Sequence, residues 1–182
     1  MLKVAAIVGS LRKDSFNKKL MQALDQLSHP GLVFERIPIE EIPLFNQDHE
    51  KDLPKSVVNL KNAVTEADGV LLVTPEYNRS IPGVLKNIID WGTRPYGQNC
   101  WKNKPMGIIG ASPGNIGTAV SQAHLRSVMV NLGAILLGQP EVYFVYKEGV
   151  IDEQFRIKDE NTQKFLQGFL DSFSRWMHQH AA

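Results

Sequence analysis

The chain has 182 residues, 43% of them apolar and 21% charged, and a formal net charge of +1; this suits one domain with a sizeable core. The near balance of charge, without a basic cluster or long charge run, argues against nucleic acid and against electrostatic attachment to a membrane. Cys100 is the only cysteine, so neither an intrachain disulfide nor a cysteine-based metal site is expected, and with no signal-like or membrane-spanning apolar run the expected location is the cytoplasm.

KVAAIV (3–8) is a continuous apolar run ending at Gly9, as expected of a strand buried on both faces. Leu20, Met21, Leu24 and Leu27 then follow helical spacing. LVFERI (32–37) reads as a second strand, and the stretch 37–54, with three prolines, reads as a long surface loop. Val57, Leu60, Val64 and Ala67 mark a helix after Pro54, followed by a short strand VLLV (70–73). Val84, Leu85, Ile88 and Ile89 mark the next helix, and MGIIGA (106–111) the fourth strand. A helix through Ala119, Ala123, Val128 and Leu132 leads to AILLG (134–138), with VYFV (142–145) extending that strand or running beside it. The last helix carries the clearest apolar stripe, through Phe165, Leu166, Phe169, Leu170, Phe173, Trp176 and Met177, with Asp159 or Asn161 as its cap. The alternation predicts an α/β fold: a single domain over 1–182 with a five-stranded parallel sheet and helices on both faces.

Ligands of open α/β sheets sit beyond the carboxyl ends of the strands, where strand order reverses. In the order 2-1-3-4-5, the loops after strands one, three and four share one crevice. The first, GSLRKDS (9–15), leads into a helix N-terminus, where free N–H groups and the helix dipole favour an anion. Ser10, Ser15 and Asn17 add donors there, and Arg12 adds a fork suited to phosphate; equally, Asp14 or Ser15 is an N-cap and Arg12 is solvated. The second, TPEYNRSIPG (74–83), is stiffened by Pro75 and Pro82. Its Glu76, Tyr77 and Asn78 amides suit the polar edge of a planar ring, with Tyr77 able to cover a face; alternatively it is a rigid turn in which Ser80 caps a helix starting near Ile81. The third, GASPGNIG (110–117), lets the backbone approach a flat ligand, or is a flexible connector.

GSLRKDSFN (9–17) and TPEYNRSIPGVLKNIIDW (74–91) together resemble the NADPH-dependent FMN reductase family, in the branch of quinone and chromate reductases. The resemblance implies a flavodoxin-like three-layer sandwich with non-covalently bound FMN. It carries Ser10, Arg12, Ser15 and Asn17 onto the phosphate, and Pro75, Glu76, Tyr77, Asn78 and Ser80 onto the ring and its surround. It also implies that Ser112 and Gly114, in the loop after the fourth strand, flank the ring. It further implies ping-pong transfer from NADPH or NADH through FMN to a small-molecule acceptor such as a quinone, a flavin, an azo compound or chromate. No side chain or metal then acts as the catalyst. A homodimer or homotetramer is implied, with the segments 37–54 and 92–103 near the flavin mouth. A flavodoxin-type electron carrier is the alternative; such carriers usually need an acidic face, against which the +1 balance speaks.

His124 reads as a packing or interface residue, and Glu76 as more important for its tight turn than as a proton donor. Arg79 either meets nicotinamide-nucleotide phosphates or is solvated, and Cys100 reads as incidental.

Overall fold

A computed structural model of the chain describes residues 1–180. Its centre is a parallel sheet of β1 (Leu2–Val8), β2 (Leu32–Arg36), β3 (Gly69–Val73), β4 (Pro105–Ser112), β5 (Ile135–Leu136) and β6 (Val142–Val145). The order is β2-β1-β3-β4-β5, with β6 also on β4. The intervening helices are α1 (Phe16–Leu27), α2 (Lys55–Glu66), α3 (Gly83–Gly92) and α4 (Ala119–Asn131), and α5 (Glu160–His180) closes the chain.

The continuous apolar runs are explained by burial on both faces. Val4, Ala6 and Val8 of β1 join Leu71 and Val73 of β3 in one core, under α1 and α5. The alternate residues, Ala5 and Ile7 with Val70 and Leu72, join a second core under α2, α3 and α4. Strand periodicity therefore distributes one run between two cores. Register then aligns the strand ends: Val8 lies opposite Val73, and Val73 opposite Ile109. The loops after β1, β3 and β4 accordingly leave the sheet along one edge.

The fifth position of the sheet is occupied by two short strands. β5 pairs with Pro105–Met106 at the start of β4, and β6 with Ile109–Ser112 at its end. VYFV thus extends the fifth strand after an interruption, within which Pro140 has no N–H to give to a ladder.

Three local expectations are refined. The 37–54 segment contains a 3-10 turn, Gln47–His49, and is strapped to α3. The Pro43 carbonyl accepts from Asn87 Nδ2 and Trp91 Nε1, both at 2.8 Å, and the Phe45 N–H donates to Asn87 Oδ1 at 2.7 Å. Asp159 does cap the last helix, accepting the Thr162 N–H at 2.7 Å. Leu166, Phe169, Leu170, Phe173 and Met177 are core, but Phe165 is a correction to the stripe: it stands 46% exposed.

Candidate functional site

Ser15 is the N-cap of α1: its Oγ accepts the N–H groups of Asn17 and Lys18 at 3.2 and 3.4 Å. These bonds use its lone pairs and leave its proton free to donate outward. Ser10 is buried, and its N–H turns back onto the Val8 carbonyl at 2.8 Å. Between them, the N–H groups of Leu11, Arg12, Lys13 and Asp14 meet no protein acceptor among the described residues. Arg12 is exposed and has no carboxylate partner within ion-pair distance among the described residues. Free amides, a free hydroxyl proton and an unpaired guanidinium thus converge beside a helix N-terminus, which is the donor set of an anion site.

Asn17 is largely engaged within the fold. Its side chain donates to the Ala111 carbonyl and accepts the Ala111 N–H, both at 2.8 Å and both buried. This two-way bond ties the start of α1 to the end of β4.

The turn after β3 is a tight hairpin. Tyr77 and Ser80 exchange backbone bonds of 3.2 and 3.0 Å, while Asn78 and Arg79 both adopt left-handed backbone, at φ 51° and 62°. Asparagine tolerates that region and arginine does so less readily. Glu76 braces the turn: Oε1 accepts from Arg79 Nη1 at 3.1 Å, and Oε2 accepts the Val120 and Ser121 N–H groups at 3.0 and 3.1 Å. Thr118, at the N-cap position of α4, makes no side-chain cap bond, so Glu76 caps that helix from another loop. Ser121 Oγ donates back to the Pro75 carbonyl at 3.0 Å. The N–H groups of Glu76, Asn78 and Arg79 have no protein acceptor among the described residues.

Ser80 is not a helix cap, which corrects the alternative weighed for it. The chain stays extended through Pro82 and α3 begins at Gly83, because the residue before a proline is disfavoured in helical backbone. Ser80 Oγ instead lies 3.1 Å from His124 Nδ1, which puts His124 beside the turn. In the third loop the Gly114 N–H donates to Ser112 Oγ at 3.1 Å. Gly110 permits close approach, since a Cβ there would overlap the Thr74 carbonyl and the Thr118 side chain.

These loops bound an open cleft of about 210 Å³. Of the anticipated residues, Ser10, Arg12, Ser15, Asn17, Pro75, Glu76, Tyr77 and Ser112 line it, together with Phe16, Ala111 and Pro113. Asn78, Ser80 and Gly114 are not in its wall. A larger hollow of about 360 Å³ lies between α1 and the end of β2, and two of its three cations are compensated, Lys18 by Glu40 at 3.4 Å and Arg36 by Asp25 at 2.6 Å. Cys100 is remote from the cleft, and burial pushes its thiol up to about 11, only partly opposed by Lys61, so it is poorly reactive. Among the described residues no cluster suits a metal ion, and no helix is long and apolar enough to cross a membrane.

Residues 2–149 match the family model for NADPH-dependent FMN reductase. The chain belongs to that family. It is 48% identical to a 2-hydroxy-1,4-benzoquinone reductase of a Burkholderia species, over 97% of this chain and 96% of the relative. An NAD(P)H-dependent FMN reductase of Pseudomonas aeruginosa is 38% identical, over 98% and 96%. The solved structure of FerB, a flavoenzyme NAD(P)H:(acceptor) oxidoreductase of Paracoccus denitrificans, superposes with a TM-score of 0.96 at 46% identity, covering all of both chains. This chain is therefore an NAD(P)H-dependent FMN oxidoreductase of flavodoxin-like fold. The donor set fits FMN: the cleft is lined by Arg12 and Ser15 beside the free loop amides, by Glu76 with its unpaired N–H, and by the exposed Tyr77.

Proposed function

We propose that this protein passes reducing equivalents from NAD(P)H to small quinones, with FMN seated in the cleft between the β1, β3 and β4 loops. Bound FMN supplies the hydride chemistry. Ser10, Arg12, Ser15 and the amides of residues 11–14 hold the phosphate; the free Glu76 amide meets the polar edge of the ring, and Tyr77, 49% exposed, covers part of its surface. Ser112 borders the ring on the third loop, with the Gly114 N–H donating to its Oγ from behind the wall. Glu76 and Asn17 act one step back, fixing the turn to α4 and α1 to β4. Donors fixed by such bonds are already oriented when charge develops at the ring edge. The carrying observation is the convergence of unpaired donors on adjacent, register-aligned strand ends.

The quinone acceptor is supported by the Burkholderia relative, named for 2-hydroxy-1,4-benzoquinone. A cytoplasmic location is supported by the single, unpaired cysteine. Assembly as a homodimer or homotetramer is part of the same reading, covering Leu44 and Tyr96, which stand 83% and 92% exposed.

The test is the absorption spectrum of purified protein, followed by anaerobic addition of NADPH or NADH and then of a benzoquinone. A flavin band that bleaches with the nucleotide and returns with the quinone is expected. Failure to take up FMN overturns the site. Uptake without bleaching leaves an electron carrier, and bleaching without reoxidation by quinone overturns the acceptor.

A further inference from the structure

An aromatic stack underlies Arg12, the cation of the proposed phosphate loop that lines the cleft. The Arg12 guanidinium carbon stands 5.1 Å from the centroid of the Phe16 ring. Phe16 in turn stacks on Tyr146, with centroids 4.2 Å apart and planes 25° from parallel. Lys19 Nζ lies 5.8 Å from the Tyr146 centroid. Tyr146 is buried, follows β6, and is anchored by its N–H donating to the Ser112 carbonyl at 2.8 Å. It is not in the wall of the cleft, whereas Arg12 and Phe16 are.

We infer that Phe16 and Tyr146 are positioning residues that hold Arg12 toward the phosphate and so set the preference of the cleft for FMN over riboflavin. The inference rests on the flavin reading above. A guanidinium attracted to an aromatic ring face spends none of its N–H donors on a carboxylate and keeps them for an oxyanion. A solvated arginine would lose side-chain freedom on binding, whereas one already resting on a ring has lost part of it beforehand. Phe16 is itself held by Tyr146, so the rest is fixed by a residue 130 positions beyond it, through the strand that borders β4. Riboflavin has no phosphate, so its affinity does not draw on this arrangement.

The test is titration of flavin-free full-length protein with FMN and with riboflavin, followed by flavin fluorescence. Tyr146→Leu should raise the FMN dissociation constant about two- to fivefold, the size of an exposed cation–π contact, and leave riboflavin unchanged. Tyr146→Phe, which keeps the ring, should retain the wild-type ratio. Arg12→Ala should abolish most of the FMN preference, and Tyr146→Leu added to it should change nothing further. If Tyr146→Leu does not fold, Phe16→Leu is read by the same ratio. An unchanged ratio in Arg12→Ala would overturn the phosphate site itself. A reduced ratio in Arg12→Ala with an unchanged one in Tyr146→Leu or Phe16→Leu would overturn only the stack.

Discussion

Removing the Glu76 carboxylate should unfasten α4 from the turn that borders the cleft. Its side chain is 7% exposed, and its two oxygens serve the Val120 N–H, the Ser121 N–H and Arg79. Hydrogen bonds to a charged group contribute about 1.5–3 kcal/mol each, but here two donors share one oxygen and their contributions do not simply add. Arg79 is 63% exposed, so its ion pair is screened and adds little. Loss of a helix cap costs about 1 kcal/mol, and with Thr118 making no cap bond there is no substitute. Together these give about 2–3 kcal/mol for Glu76→Ala. For a chain of this length that corresponds to about 4–12 °C in Tm. Urea unfolding of the flavin-free protein is the assay, with an unchanged m-value expected. Glu76→Gln, which keeps one neutral acceptor, should fall between the two. A change below about 0.5 kcal/mol in Glu76→Ala, near the error of such measurements, would refute the capping role. Loss of one limb of the pH–rate profile in Glu76→Gln, at unchanged flavin content, would make it a proton donor instead.

Asn17→Ala should cost about 2–4 kcal/mol, because it strands the buried N–H and carbonyl of Ala111 together; under 1 kcal/mol in urea unfolding would contradict the strap. Gly110→Ala should cost about 1–3 kcal/mol through overlap with the Thr74 carbonyl and Thr118, and a variant as stable as wild type would show that β4 can shift away. Burial raises the Cys100 thiol from 9.0 to about 11, so the folded state holds that proton more tightly than the unfolded one. Its contribution is therefore present below pH 9 and lost between about pH 9 and 11. The stability difference between wild type and Cys100→Ser should shift against wild type across that window. Alkylation with an apparent pKa below the ordinary thiol value would contradict the burial.

What could be read from the sequence, and what could not, divides by the distance over which a residue finds its partner. The sheet was legible because strands such as Val4–Val8 and Val70–Val73 are buried on both faces, and nothing local competes with that reading. The interruption between β5 and β6 was not, because AILLG and VYFV pair with opposite ends of β4, and pairing register leaves no mark in composition. The cleft walls were legible too, since the first and second loops carry dense polar motifs. The division of labour within those motifs was hidden. Asn17 reads as a phosphate ligand, yet its Oδ1 and one of its two Nδ2 hydrogens are engaged by a backbone 94 residues away. Glu76 reads as a residue of its tight turn, yet it caps a helix through an N–H 44 residues on. Tyr146 lies in an unremarkable stretch and enters only because β6 delivers it onto Phe16. A polar motif at a strand end therefore mixes two populations, donors left free for a ligand and donors spent on holding the loops. Only the accounting of each N–H and each oxygen separates them. By that accounting the free set here is Arg12, Lys13, the Ser10 and Ser15 hydroxyl protons and the loop amides, while Asn17 and Glu76 serve to keep them in place.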